Sequence, residues 1–397
     1  MKSEWTKKKL SDIADFNPRE TIKKGAIAKK IPMDVLRPFY RDIPYYVEEC
    51  FSGGAKFRNG DTIMARITPC LENGKTAQVS ILNDGEVGFG STEYIVFRAK
   101  EGIANKDYLY HLVCSPEVRE PAIKSMVGSS GRQRVQTDVI KNLEIDVPPL
   151  VEQEKIGSFL KAFDDKIALN DRINKNLLEQ ALAIYKDWFC DYALSDGILP
   201  ENWKITTIDE ISSLVTRGIA PKYDDSSDQI VLNQKCIRDH TIDISLSRRH
   251  LPKKINEKWI SKGDLLINST GTGTLGRVAQ VWFEASNMTV DSHVTIVRPK
   301  DPILQSYIGF WGLSHESEIE AQHTGSTGQT ELPRDRVKAM ELPLPDEDTL
   351  SKFNELVIPM TSTVISNQEE NAHLSQLRDA LLPKLMSGEL DVSDIDL

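Results

Sequence analysis

The sequence predicts a mixed α+β protein in which two similar α/β domains alternate with two long helices that pair as an antiparallel coiled coil. Two observations predict this architecture: an internal repeat at an offset near 200 residues, and a coiled-coil pattern at the end of each repeat. The 397 residues are 40% hydrophobic and 27% charged. This is the composition of an ordinary globular protein with two or three domains.

The repeat consists of five sequence matches that keep the same order in both halves. They are Trp5 with Trp203, Gly60-Asp61-Thr62-Ile63 with Gly263-Asp264-Leu265-Leu266, residues 94–98 with 294–298, residues 128–131 with 325–328, and residues 145–148 with 342–345. Between these matches, short β-branched runs alternate with Gly, Asn and Pro turns. Each half therefore begins with an α/β domain.

A coiled-coil pattern follows each domain. From Ile156 onward apolar residues recur at spacings of four and three, interrupted only by Asn170 and Asn174, and 197 residues later Asn367 and Asn371 interrupt a matching pattern. If the helices run antiparallel, Asn170 faces Asn371 and Asn174 faces Asn367. Buried amides need such partners, so the two polar layers should fix the register of the pair.

Two features of the second helix complicate this pattern. Pro359 lies inside it and is expected to kink the helix or to delay its start, and Arg378 would face Phe163 across the pair. An alternative also stays open, because each helix could be an amphipathic helix that packs only on its own domain.

Composition excludes several classes of protein. The net charge of −10 argues against simple electrostatic binding of nucleic acid, although the acidity is concentrated near the C-terminus. The five cysteines are widely spaced and form no CxxC pair, which predicts free, reduced thiols and no structural zinc. Neither an apolar run of membrane-spanning length nor a secretory signal is present, so a cytoplasmic location is expected.

Catalytic motifs are absent, and one glycine-rich loop imitates a cofactor site. No HExxH, GxSxG, methyltransferase or nuclease string occurs, so the chain is predicted to be no enzyme by itself, with no catalytic, cofactor-binding or metal-binding residues. Residues 271–276 (GTGTLG) fit the dinucleotide fingerprint, and a dinucleotide-dependent enzyme is one alternative. That fingerprint needs a helix directly after the glycines, whereas residues 277–283 read as a strand.

Two similar domains joined by a rigid rod suit a protein that reads two sites on an extended partner such as duplex DNA. The polar and basic loops supply candidate DNA contacts, although any one of them could be an ordinary solvated loop. The candidates are Ser130, Arg132, Gln133 and Arg134 in the first repeat, and Arg248, Arg249, Asn268, Thr270, Arg277 and Gln329 in the second. The basic clusters Lys23-Lys24, Lys29-Lys30 and Lys253-Lys254 are possible phosphate contacts.

Several segments of the helices resemble the specificity (S) subunits of type I restriction–modification systems. They are residues 147–156 (VPPLVEQEKI), 170–174 (NDRIN) and 188–192 (WFCDY), which resemble the family's central conserved region, and residues 377–390 (LRDALLPKLMSGEL), which resemble its C-terminal conserved region. With the repeat, the resemblance covers nearly the whole chain.

The resemblance implies a function. Each target-recognition domain would read one half of a split, asymmetric DNA site, and the helices would set the gap. The subunit would bind double-stranded DNA, two methyltransferase (M) subunits and, for cleavage, two restriction (R) subunits. S-adenosylmethionine, ATP and Mg would belong to those partners. Apolar residues on the outer face of the first helix, including Phe159, Leu178, Tyr185 and Phe189, would contact M.

The predicted domain boundaries follow the repeat. Residues 1–149 form target-recognition domain 1, residues 150–195 the central helix, residues 196–346 target-recognition domain 2, residues 347–390 the C-terminal helix and residues 391–397 an acidic tail. The remaining alternative is a scaffold whose α/β domains bind protein rather than DNA. The sequence leaves open the DNA target, the gap length and the oligomeric state.

Overall fold

The structure is a computed structural model that describes residues 5–129, 131–251, 258–325 and 330–392. The chain divides into two compact units. Unit 1 comprises Met1–Asn170 and Glu369–Leu397, and unit 2 comprises Asp171–Gln368. Each unit therefore contains one globular part and about half of each long helix.

Ten strands and four short helices build the described globular part of unit 1. The strands are β1 (Thr6–Lys9), β2 (Ala14–Phe16), β3 (Ile27–Ile31), β4 (Val47–Cys50), β5 (Ala55–Phe57), β6 (Thr62–Ala65), β7 (Thr76–Gln78), β8 (Gly88–Gly90), β9 (Tyr94–Ala99) and β10 (Glu144–Val147). The helices are α1 (Leu10–Ile13), α2 (Lys106–Cys114), α3 (Pro116–Lys124) and α4 (Thr137–Lys141), and the long helix α5 (Leu150–Phe189) begins after them.

The strands of unit 1 form three sheets. An antiparallel sheet has the order β2-β9-β6-β7, a mixed sheet has the order β4-β3-β8-β5, and β1 pairs with β10. Side chains alternate across β9, so Ile95 and Phe97 join the core that contains α2, while Tyr94 and Val96 join a second core on the other face. Burial on both faces explains the continuous apolar run that the sequence shows here.

Unit 2 repeats this plan. Its strands are β11 (Lys204–Thr207), β12 (Ser212–Arg217), β13 (Ile230–Leu232), β14 (Ile237–Arg238), β15 (Thr241–Ile242), β16 (Arg248–Arg249), β17 (Leu265–Asn268), β18 (Val278–Gln280), β19 (Met288–Val290), β20 (Val294–Pro299) and β21 (Glu341–Leu344). Its helices are α6 (Ile208–Ile211), α7 (Gln305–Ser314), α8 (Glu316–Ala321), α9 (Arg334–Lys338) and the long α10 (Glu347–Met386). The main sheet, β12-β20-β17-β18, corresponds to β2-β9-β6-β7 of unit 1.

The same polar contact supports the main sheet in both units. In unit 1, Arg98 donates two hydrogen bonds of 2.7 Å to the buried carboxylate of Asp61. In unit 2, Arg298 makes the equivalent contacts with Asp264 at 2.8 and 2.7 Å. The two aspartates belong to the Gly-Asp match of the repeat, and the two arginines end the matched segments 94–98 and 294–298. The repeat in the sequence therefore corresponds to a repeat in the structure.

A tryptophan ties the first strand of each unit to the start of a long helix. The indole of Trp5 donates to Glu152 at 3.1 Å, and the indole of Trp203 donates to Asp346 at 3.0 Å. Asp346 also accepts the backbone N–H of Thr349 at 2.9 Å, which makes it the cap of α10. Hydrogen bonds from Thr349 and Trp203 lower the pKa of Asp346 to about 2 and outweigh its burial, which alone would raise that pKa.

The two long helices have 40 residues each, and Pro359 does not delay the second one. The prediction of a late start was wrong, because α10 begins at Glu347 and runs through Pro359 to Met386. The proline lies on the exposed face, where the carbonyl that loses its helical N–H partner can be hydrated. The helices are also shorter than the predicted segments 150–195 and 347–390, with a separate 3-10 turn at Ala193–Ser195.

Within each unit the two helix halves run antiparallel. In unit 1, Asp164 contacts Arg378 and Asn170 contacts Asn371. In unit 2, Asn174 contacts Asn367 and Tyr185 packs against Phe353. The fold is thus mixed α+β, with two repeated α/β units and a pair of antiparallel long helices, as the sequence predicts.

Candidate nucleic-acid interface

In unit 1 the predicted loop at residues 127–134 is closed by backbone contacts. Val127 and Arg134 exchange two hydrogen bonds of 3.1 and 2.9 Å, and Arg134 also bridges to Ile67. Gly128 has a φ of 137°, and a Cβ there would lie 2.9 Å from the carbonyl oxygen of Arg132. The loop therefore lies between α3 and α4, its base bridges to Ile67 just after β6, and glycine is required at that base.

The candidate residues of this loop differ in exposure. Arg132 is exposed, and within the described residues its side chain has no ion-pair partner. Gln133 is half-buried, and its backbone N–H and carbonyl are bonded to Thr68, each at 3.0 Å. Arg134 donates to Glu93 at 2.7 Å, a contact that raises the pKa of the guanidinium. Ser130 lies outside the described residues.

Unit 2 carries a loop at the equivalent place. Thr324 and Glu331 exchange backbone hydrogen bonds of 2.7 and 2.9 Å, and Glu331 also bridges to Thr270. The carboxylate of Glu331 pairs with Arg217 at 2.6 Å. Glu93, Glu331 and Arg217 were not predicted from the sequence, because nothing in the residues around them indicates that they form ion pairs. Gln329 lies outside the described residues.

Asn268 cannot contact DNA as the sequence analysis predicted. It is fully buried at the end of β17, and its Nδ2 donates to the carbonyl of Gln234 at 3.0 Å. The prediction was wrong because Asn268 is the last residue of β17 and pairs with Val294 of β20, so its side chain is covered by the neighbouring part of the sheet. Thr270 remains partly exposed and contacts His293 at 2.7 Å, and Arg277 is half-buried on the other side of the turn.

The glycine-rich residues 271–276 form a turn between two antiparallel strands. β17 pairs with β18 in the register Leu265 to Gln280, and the turn is followed directly by β18. Gly271, Gly273 and Gly276 all have positive φ. Because a strand follows the glycines, the helix N-terminus that a dinucleotide pyrophosphate needs is missing at this loop.

The predicted basic clusters are engaged in contacts within the protein. The guanidinium of Arg248 stacks on the ring of Tyr223 at 3.5 Å, and Arg249 donates to the carbonyl of Ser227 at 2.6 Å. Lys29 and Lys30 each pair with a glutamate at 2.9 Å. The glutamates offset the charge of the two lysines, whereas Arg248 and Arg249 have neutral partners and keep their positive charge. Lys253 and Lys254 lie outside the described residues.

The four asparagines of the helices meet in two layers. In unit 1, Asn170 donates to Asn371 at 2.9 Å and to Glu370 at 2.7 Å. In unit 2, Asn367 donates to Asn174 at 2.8 Å. These are the pairs that an antiparallel register predicts.

Two of the predicted partner-contact residues are buried in unit 2. Tyr185 and Phe189 are at most 2% exposed and pack against Tyr307 and Phe353. Their assignment to the outer face was wrong, because α5 buries a second face against α7 as well as the face that meets α10. Phe159 and Leu178 are half-buried, and their contact with a partner stays a prediction.

Other kinds of site find little support. Among the described residues, no group of three or more His, Cys, Asp or Glu side chains could hold a metal ion. The five cysteines are free, as predicted. The described helices include none that is both long and apolar enough to cross a membrane.

The structure thus combines a repeated α/β unit, a loop at the same place in each unit and an antiparallel helix pair with two amide layers. A family model described as "Type I restriction modification DNA specificity domain" matches residues 2–179. The chain is 25% identical to the type I restriction enzyme MjaIX specificity subunit of Methanocaldococcus jannaschii over 316 residues, which cover 75% of this chain and 71% of that protein. It is 21% identical to the HindI specificity subunit of Haemophilus influenzae over 413 residues, covering 84% and 87%.

A solved structure agrees with these matches at the level of the fold. The crystal structure of a type I restriction-modification system S subunit from M. genitalium has a TM-score of 0.57 and 14% identity, and the match covers 97% of this chain and 96% of that one. These matches show that the chain is similar to the specificity subunits of type I restriction–modification systems, with residues 2–179 matching their DNA specificity domain.

Proposed function

We propose that this subunit recognises a split, asymmetric DNA site, with unit 1 reading one half and unit 2 the other. The observation that carries the proposal is the loop closed by Val127 and Arg134 in unit 1, which has a counterpart closed by Thr324 and Glu331 in unit 2. Each loop combines polar or cationic side chains with backbone anchoring. Such a loop can present side chains to base edges at low entropic cost.

The helices α5 and α10 would set the length of the unread gap. Forty residues at about 1.5 Å each give a helix of about 60 Å. The amide layers support this role, because sliding one helix along the other would leave buried amides without partners.

The subunit would act in a complex in which two M subunits methylate and two R subunits cleave. S-adenosylmethionine, ATP and Mg would be bound by those partners and not by this chain. Exposed apolar residues on the helices, such as Leu169, Leu356 and Leu377, add to Phe159 and Leu178 as a surface for M. Such a complex would act on cellular DNA in the cytoplasm.

The decisive experiment is to express the chain with its M subunit and to map methylated adenines across the host genome. A split motif with a fixed gap is expected. A continuous motif, or no methylation dependent on this chain, would contradict the proposal. The scaffold alternative predicts an M·S complex without sequence-selective DNA binding at moderate salt.

A further inference from the structure

A buried ionic cluster joins the helix pair of unit 1 to its globular part. Arg378 of α10 donates from Nη1 to Asp164 of α5 at 2.6 Å. The other oxygen of Asp164 lies 3.0 Å from Nε2 of His111 on α2. All three side chains are at least nine-tenths buried. Three helices therefore meet at one carboxylate.

Hydrogen bonds on both sides hold His111 in this cluster. Nδ1 of His111 lies 2.8 Å from the carbonyl oxygen of Asp107, and Nε2 lies 3.0 Å from the carboxylate of Asp164. Burial alone would raise the pKa of Asp164, but hydrogen bonds from His111 and Arg378 outweigh it and hold that pKa below its usual range.

Arg378 also contacts the segment around Phe39. Its Nη2 donates to the carbonyl of Phe39 at 3.2 Å, and Phe39 has a φ of 56°. The N–H of Phe39 donates to the carbonyl of Gly74 at 3.0 Å, and a Cβ on Gly74 would lie 2.6 Å from the ring of Phe39. Arg378 thus holds Phe39 against the turn between β6 and β7.

The β6–β7 turn also forms hydrogen bonds with the candidate DNA-reading loop at residues 127–134. Leu71, inside the turn, donates its N–H to the carbonyl of Ile67 at 3.2 Å. The neighbouring Thr68 exchanges hydrogen bonds of 3.0 Å with the backbone of Gln133. Arg119 adds a second link, because its guanidinium lies over the ring of Phe39 at 5.1 Å and donates to the carbonyl of Glu72 at 2.7 Å.

We propose that Arg378 is a positioning residue that sets the place of the DNA-reading loop of unit 1 through Phe39 and the β6–β7 turn. The contacts run from the C-terminal helix to the loop at residues 127–134 without a gap. The inference rests on the proposed function and deepens it, because it makes recognition by the first unit depend on a residue of the last helix.

The described residues of unit 2 contain no equivalent cluster. The positions 197 residues away from Asp164 and Arg378 are Thr361 and Ala181, and both are buried. Aromatic side chains of α5, α7 and α10 fill this junction, with ring centroids of Phe189 and Phe353 5.0 Å apart. A change at Arg378 therefore disturbs recognition of one half-site and leaves the other intact.

The test compares Arg378→Met with Lys384→Met in the complex with M. Met fills much of the space of Arg378, and Asp164 keeps its partner His111. Lys384 lies on the same helix, but its side chain is 52% exposed. The affinity of each complex is measured for the native duplex and for duplexes altered in one half-site or the other. The first half-site is the half of the motif that stays unchanged when unit 2 is exchanged for that of a relative.

For Arg378→Met, discrimination at the first half-site should fall by roughly 2- to 30-fold, while discrimination at the second stays unchanged. Lys384→Met should behave as the native protein. Arg378→Lys keeps the positive charge but lacks the planar guanidinium group, whose two terminal nitrogens contact Asp164 and Phe39 at the same time. It should retain the native melting temperature and still lose discrimination at the first half-site, which a purely structural role would not produce.

The outcomes separate this inference from the proposed function. If the native complex discriminates at neither half-site, the proposed function fails and this inference falls with it. If the native complex discriminates at both, equal losses at both half-sites or no loss in Arg378→Met overturn the positioning role alone. If Arg378→Met does not fold, the test relies on Arg378→Lys. Unchanged discrimination at the first half-site in Arg378→Lys would then reject the positioning role of Arg378.

Discussion

Replacing Asp164 by asparagine should destabilise unit 1 far more than the same change at the neighbouring Asp165. Asp164 is 4% exposed, pairs with Arg378 at 2.6 Å and contacts His111 at 3.0 Å, so its loss removes the buried anion of this cluster and leaves Arg378 with only the exposed carboxylate of Asp379. The carboxylate of Asp165 is 47% exposed and pairs with Arg41 at 2.7 Å. The two positions are adjacent on α5 and differ mainly in burial.

The expected magnitude follows from burial. Removing one partner of a buried ion pair costs about 3 to 5 kcal/mol, and an asparagine that still accepts one hydrogen bond places the cost near the lower limit, about 3 kcal/mol. Removing an exposed carboxylate costs about 1 kcal/mol or less. Replacing Asp164 and Arg378 together by leucine should cost less than Asp164→Asn, because the buried guanidinium is then removed together with its carboxylate partner.

The assay must distinguish the two units, because five of the six tryptophans lie in unit 2 and fluorescence would report mainly on that unit. Hydrogen–deuterium exchange of the full chain, followed by mass spectrometry at increasing urea, resolves α2 in unit 1 from α7 in unit 2. In Asp164→Asn, protection of α2 should be lost at lower urea, while protection of α7 stays native.

The contribution of Asp164 also has a defined pH dependence. Its pKa in the folded protein is lowered, so the stabilisation is fully present above the ordinary carboxyl pKa of about 3.9 and is lost as the pH falls through the folded value. The native protein and Asp164→Asn should therefore converge in stability only in acid, below about pH 4. If Asp164→Asn proved no less stable than Asp165→Asn at pH 7, the assignment of a charged cluster would be refuted.

Four further outcomes are expected. Asp346→Asn should destabilise unit 2 by about 1 kcal/mol, because an amide keeps only one of the two oxygens that accept from Thr349 and Trp203, and since the pKa of Asp346 is lowered to about 2, the difference should shrink as the pH falls from about 4 towards 2, as measured by urea unfolding. Arg132→Ala should cost roughly 1 to 3 kcal/mol in DNA binding if it reads a base, or lower affinity for all sequences if it contacts phosphate; native affinity and specificity would exclude both roles. Exchanging residues 198–346 for those of a relative should change one half of the methylated motif, and a change in both halves would contradict modular recognition. Inserting one heptad after Ile167 and a matching heptad before Leu374 should lengthen the helices by about 10 Å and the gap by about three base pairs, whereas an unchanged gap in a folded variant would exclude the helices as the ruler.

The sequence by itself determined the repeat, the class of fold and the pairing of the asparagines. All three depend on patterns that are visible along the sequence: the order of the matched segments, the spacing of apolar residues, and polar residues at fixed positions within the apolar pattern of the long helices. The pairs Asn170 with Asn371 and Asn174 with Asn367 could be predicted because an antiparallel register fixes which positions meet.

Only the tertiary structure decided what lies against the other faces of these elements. Spacing along α5 identified the face that meets α10 but gave no sign that Tyr185 and Phe189 pack into unit 2. Asn268 could be placed at the end of a strand but not inside the sheet, because depth depends on neighbouring strands that are distant in sequence. Arg378 read as an interruption of the seam, and its partners Asp164 and His111 come from helices far apart in the chain. A local sequence pattern indicates which apolar residues are buried. The partners that make burial of a charged residue possible come from distant parts of the chain and are brought together only by the fold.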